Sequence, residues 1–111
     1  MRKFVRGCIA SLPILCACIA VGRAPAQSTE QGKQIFTEKA VPPCGLCHKL
    51  KAANSSGTIG PDLDELKPDL EKISRAVKNG VGNMPPYGET LSDAEIATVS
   101  KYVANAVGTA K

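Results

Sequence analysis

The stretch CGLCHKL, residues 44–50, carries Cys44 and Cys47 with two residues between them and, directly after, His48, the single histidine of this 111-residue chain. One short turn at that spacing presents both sulfurs on the same side, with the imidazole next in line. What this cluster binds decides how the chain builds a core, so the other residues are read outward from it.

Upstream, Arg2, Lys3 and Arg6 form a basic start, and an apolar run follows from Gly7 to Gly22, broken only by Ser11 and Pro13. Ala24-Pro25-Ala26 is a small-x-small cleavage signature. The pattern predicts a secretory signal over residues 1–26, cut after Ala26, and a folded domain over residues 27–111. The alternative of an uncleaved anchor needs about 20 apolar residues to cross a bilayer, and this run is shorter. Stable membrane insertion is therefore not expected. A further alternative is lipoprotein anchoring through Cys18, because Leu15-Cys16-Ala17-Cys18 resembles a lipobox with an unusual Cys16.

Removing the leader changes the composition. Four of the fourteen basic residues, Arg2, Lys3, Arg6 and Arg23, leave with it, so ten basic residues face ten acidic ones. No basic stripe remains for nucleic acid. Cys8, Cys16 and Cys18 leave as well, and Cys44 and Cys47 are the two cysteines of the exported chain. Its 85 residues contain Phe36, Tyr87 and Tyr102 as their aromatics and no Trp. A domain of that size needs a staple or a bound group to complete its interior.

C-x-x-C-H is the attachment signature of c-type haem. Two thiols add across two vinyl groups of the porphyrin, and the adjacent His48 offers its imidazole as proximal iron ligand. A thioredoxin-like pair would need a β/α scaffold, for which the chain has no signal. Structural zinc would need four ligands, and the exported chain offers three Cys and His residues. A plain disulfide would leave His48 unexplained. The expected cofactor is thus one covalently bound haem c per chain.

The distal side falls to Met84, the one methionine of the exported chain, 36 residues after His48 in GVGNMPPYG. A thioether is a soft ligand that favours ferrous iron and raises the reduction potential. The competing reading is a methionine that fills a core gap. Tyr87 of the same loop is read as a pocket contact, lining the pocket or touching a haem propionate, or else as ordinary loop packing.

The periodicity is helical. A helix is expected from about Ser28 to Lys39, with Ser28 and Gln31 as a capping box and Pro42-Pro43 beyond its end. Cys44–Lys51 suits one or two helical turns. The segment 54–61 reads as loop. Leu70, Ile73 and Val77 predict a helix over Pro68–Asn79 with Gly80 at its C′ position. Ile96, Val99, Val103 and Ala106 predict a last helix from Ser92, with Glu95 completing a second capping box, to Val107-Gly108. No strong strand signal is present. The acidic run Asp62, Asp64, Glu65, Asp69 and Glu71 reads as a solvated face, with a docking patch as the alternative. The fold class is all-α: three to four helices with long loops around the haem.

The order Gly32…Phe36, Cys44-x-x-Cys47-His48, Gly60-Pro61, Met84-Pro85 and a final helix with Tyr102 resembles class I monohaem c-type cytochromes over essentially the whole exported chain. The resemblance implies Cys44 and Cys47 as thioether residues, His48 as proximal ligand and Met84 as distal ligand. It further implies that the Pro61 carbonyl accepts a hydrogen bond from the other ring nitrogen of His48. Gly32, Phe36 and Tyr102 match the residues at a crossing of the terminal helices. SGTIGPDLDELKPD (residues 56–69) and NGVGNMPPYGETLSDAEI (residues 79–96) are similar to the small cytochrome subunit of periplasmic sulfite dehydrogenases. The implied function is periplasmic electron transfer without substrate turnover. The implied partners are a molybdenum-containing dehydrogenase subunit and a downstream cytochrome or oxidase. The alternatives are a freely diffusing shuttle to a terminal oxidase and, if Met84 does not ligate, an open-site haem that binds a gas or peroxide.

Overall fold

The computed structural model describes residues 25–110. The expected leader and its lipobox Cys18 lie outside the described residues, apart from Pro25 and Ala26. Helix α1 spans Pro25–Gln34 and runs directly into a π-helical turn, Ile35–Lys39. It ends as expected before Pro42-Pro43. Its start is earlier than the capping box predicted, so Ser28 lies inside the helix rather than at its cap. Proline suits the first helical turn, because the missing N–H has no partner there anyway. The π turn closes through Ala40 N–H donating to the Ile35 carbonyl at 3.0 Å and leaves Ile35 and Phe36 buried.

Helix α2, Cys44–Cys47, is a single turn. Strands β1 (Lys49–Leu50) and β2 (Ser55–Ser56) follow as an antiparallel ladder pairing Lys49 with Ser56 and Leu50 with Ser55. A 3-10 turn, Lys51–Ala53, and a left-handed Asn54 (φ 51°, ψ 31°) join them. The absence of a strand signal thus needs correction. Two residues per strand carry no alternation to read, and the ladder exists because the turn folds the chain back on itself.

Helix α3, Leu63–Leu66, is another single turn, capped by Asp62, whose carboxylate accepts from the Asp64 and Glu65 N–H groups. Helix α4, Leu70–Asn79, begins after its cap Asp69, which accepts from Lys72 N–H at 2.8 Å. Helix α5, Asp93–Val107, is capped by Ser92, whose Oγ accepts from Glu95 N–H at 3.1 Å. The Glu95 carboxylate does not complete the box; it pairs with Lys39 Nζ at 3.1 Å, joining the two terminal helical segments. The described residues therefore form five α-helices rather than three to four. The additional one, α3, is four residues long, too short for a 3.6-residue period to show, whereas α2 is a single turn within the expected Cys44–Lys51 stretch.

The acidic run is largely structural. Asp62 and Asp69 are caps, Asp62 also pairs with Lys49 at 3.4 Å, and Asp64 accepts from the Lys51 N–H at 2.8 Å. Helix α5 packs against both α1 and α4. A Cβ on Gly32 would collide with Tyr102 Cβ, lie 2.9 Å from its Cγ and lie 3.1 Å from the Thr98 carbonyl, so α1 and α5 cross at near backbone contact. Phe36 meets Tyr102 edge-on there, with ring centroids 6.2 Å apart. No helix of the described residues is long and apolar enough to cross a membrane.

Candidate cofactor site

Helix α2 positions the thiols. Cys44 and Cys47 sit three residues apart on one turn, hence on one face, and both are free. His48 N–H donates to the Cys44 carbonyl at 2.9 Å and closes the turn. The backbone then turns extended at His48 (φ −109°, ψ 134°), which carries the imidazole away from the helix.

His48 Nδ1 lies 2.8 Å from the Pro61 carbonyl oxygen. A carbonyl only accepts, so Nδ1 carries the proton, and it is Nε2 that the neutral ring leaves with a lone pair to offer a ligand. The loop holding Pro61 is pinned to the same turn, because Gly60 N–H donates to the Cys47 carbonyl at 2.7 Å. A Cβ on Gly60 would lie 2.7 Å from His48 Cε1 and 2.9 Å from Nδ1. Glycine is therefore required for the ring to rest on this backbone. The contact between residues 48 and 60 has no local sequence signal, and only the neighbouring Gly60-Pro61 pair hints at it.

Met84 is set by a tight turn after α4. Val81 and Met84 exchange both backbone hydrogen bonds, at 3.2 and 2.9 Å, around a left-handed Gly82 (φ 54°). Its side chain is partly buried and packs on the core, which is the placement a gap filler would share. It also lines one cavity of about 560 Å³ together with Cys44, Cys47, His48, Pro61 and Tyr87. Residues the motif reading did not mark complete the walls: Leu63, Ile73, Val99 and Val103, with Phe36 from the helix crossing. Ile73, Val99 and Val103 were signalled only by the apolar periodicity of their helices, and Leu63 carried no helical period. Lys72 reaches the same cavity from α4.

Burial pushes the Cys44 thiol up to about 11, opposed by a backbone hydrogen bond and reinforced by Cys47. A thiol kept protonated at neutral pH is a poor exchange nucleophile, which weighs against a thioredoxin-like pair. Tyr87 is pushed up to about 12, mainly by burial and further by Cys44 and Cys47. Its hydroxyl donates to the Pro42 carbonyl at 2.6 Å. The proton is thus committed to the backbone and not offered to a ligand.

The donor set fits a haem. A cavity of this size lies within the range of roughly 300–1,000 Å³ typical of cofactor pockets. Among the described residues no three His, Cys, Asp or Glu side chains converge as a bare metal ion would need. An iron already ringed by a porphyrin needs only axial donors, and the cavity offers an imidazole lone pair and a thioether. Its apolar walls suit the ring, and the paired thiols stand at its margin.

The family model for cytochrome c oxidase, cbb3-type, subunit III matches residues 27–103. Cytochrome c6 of Gracilaria tenuistipitata is 36% identical over 88 residues, covering 72% of this chain and 74% of its own. Cytochrome c6 of Gloeothece citriformis is 33% identical over 107 residues, covering 93% of each. Among solved structures, the c-type cytochrome SorU from Sinorhizobium meliloti aligns with a TM-score of 0.71 at 46% identity, covering 78% of this chain and 98% of its own.

Proposed function

This chain belongs to the cytochrome c family and carries electrons rather than turning over a substrate; on that premise we propose that it works in the periplasm with one haem c, attached through Cys44 and Cys47 and ligated by His48 and Met84. When bound, the haem supplies the one-electron Fe(III)/Fe(II) couple. His48 presents Nε2 as a lone pair, and Pro61 holds the ring orientation while strengthening it as a donor. Met84 offers a soft sulfur whose preference for ferrous iron raises the potential. Leu63, Ile73, Val99 and Val103 keep the site dry, which disfavours extra charge on the oxidised form.

The observation that carries this reading is the convergence of the Pro61-held imidazole and the Met84 thioether on one apolar cavity beside both thiols. It favours a six-coordinate carrier over an open gas or peroxide site, because Met84 brings a sulfur of the right softness to the same cavity as His48. Met84→Ala tests it. The variant should retain covalent haem, lose the ferric thioether charge-transfer band, show a lower potential and take up imidazole. Native potential and spectrum in that variant would assign the distal ligand elsewhere.

The resemblance of residues 56–69 and 79–96 to sulfite dehydrogenase subunits makes a molybdenum-containing, sulfite-oxidising enzyme the first candidate donor, with a cytochrome or oxidase downstream. Co-purification of the native protein with a molybdenum-containing partner that reduces it on addition of sulfite would support this. A monomer reduced equally well by unrelated donors would favour the freely diffusing shuttle.

A further inference from the structure

We propose that Tyr87 is a positioning residue for the axial thioether, its hydroxyl tying the Met84 loop to the segment that leads into Cys44. This rests on the reading of Met84 as an iron ligand. The loop after α4 is fastened mostly to its own helix. Tyr87 N–H donates to the Val77 carbonyl at 2.8 Å and Gly88 N–H to the Lys78 carbonyl at 3.1 Å. The imidazole, however, belongs to a separate segment, the one that closes α2. Among the described residues, the one hydrogen bond that joins this loop to residues 40–48 is Tyr87 Oη to the Pro42 carbonyl, at 2.6 Å across 45 positions.

Three features make the tie effective. Pro42 stands two residues before Cys44, so the bond anchors the loop to the chain that carries the thiols and His48. Tyr87 is 4% exposed, so water does not readily replace a lost bond. Pro85 and Pro86 separate Met84 from Tyr87, and their fixed φ angles make the short segment move as one piece. Holding the phenol in place therefore holds the sulfur in place, and releasing it lets the thioether leave the iron more easily.

The test uses the holoprotein and imidazole as an external ligand competing for the distal position. Tyr87→Phe preserves the ring and removes only the donor. It should keep covalent haem and helical content, weaken the ferric thioether charge-transfer band and bind imidazole roughly two- to tenfold more tightly than the native protein. Ile35→Ala, a buried change on the π turn that neither lines the cavity nor removes the tie's donor or acceptor, should lower thermal stability and leave imidazole affinity unchanged. Met84→Ala reports on the underlying reading: if it binds imidazole no better than the native protein, Met84 is not the ligand. If Met84→Ala does gain affinity while Tyr87→Phe matches the native protein, the tie has no positioning role. The proposal is equally overturned if Ile35→Ala shifts affinity as much as Tyr87→Phe. Fluorotyrosine at position 87, a stronger donor of nearly the same shape, should weaken imidazole binding, and an unchanged affinity would also overturn the proposal.

Discussion

Replacing Gly60 by alanine sets two effects of opposite sign against each other. Gly60 does not occupy the left-handed region, so alanine is compatible with its backbone. Through the unfolded state alone, the change would stabilise by about 0.4–1 kcal/mol. Against this, the new Cβ would lie 2.7 Å from His48 Cε1, 2.9 Å from Nδ1 and 3.2 Å from Nε2. Ordinary carbon contacts begin at about 3.5 Å, so the ring must retreat by roughly 0.8 Å. Its bond to Pro61, now 2.8 Å, would then be stretched to or beyond the useful limit. Overpacking costs about 1–3 kcal/mol and the hydrogen bond about 0.5–1.5 kcal/mol. The net loss is then about 0.5–4 kcal/mol. At about 4–8 °C per kcal/mol for a domain of this size, Tm should fall by roughly 2–30 °C.

The assay is thermal melting of the haem-loaded protein followed by circular dichroism, with the reduction potential measured alongside. An imidazole that loses the Pro61 acceptor is a poorer donor to ferric iron, so the potential should rise. A ring held only by packing would swing aside at little cost, and Tm would then stay level or increase. An unchanged or higher Tm with the native potential would refute the clamp between Pro61 and the iron.

Gly32→Ala should lower Tm although alanine is the better helix former, because the collision with Tyr102 Cβ is close to both helix backbones and cannot be relieved by a rotamer; a melting curve shifted upward would place the α1–α5 crossing elsewhere. Asp62→Ala removes the α3 cap and the partner of Lys49, and should cost about 0.5–2 kcal/mol in denaturant titration. An unchanged midpoint would show that the cap adds nothing to stability. Cys44→Ala or Cys47→Ala should leave a protein that melts at lower temperature with one thioether bond at most, read by the haem released under denaturing extraction. Native-like melting without covalent haem would show that the apolar walls collapse into a core of their own.

Much of the functional centre is legible in one dimension because its chemistry is local. Cys44, Cys47 and His48 are consecutive in purpose and nearly so in sequence, and a single turn suffices to align them. Met84, the proposed distal ligand, stands out in residues 27–111 as their one methionine, in a loop of glycines and prolines. The cap at Ser92 marked α5, since a side-chain oxygen ahead of an apolar period answers the unpaired N–H groups of a helix start, whereas α4 was marked by its apolar period and its cap Asp69 read only as solvated charge.

Other features depend on contacts between distant residues. Asp62 and Asp64 look like solvent-facing charge until the fold returns them to the α3 N–H groups, to Lys49 and to the backbone of Lys51. Glu95 looks like half of a capping box until the π turn after α1 brings Lys39 within reach. Tyr87 has no distinctive sequence signal, and its role follows from a carbonyl 45 positions away. What the sequence alone determined was which atoms can attach and ligate a haem, because those are properties of residue type and short spacing. The tertiary structure alone decided how those atoms are oriented and enclosed, because Pro61, Gly60 and the apolar walls reach the site only once the helices have packed.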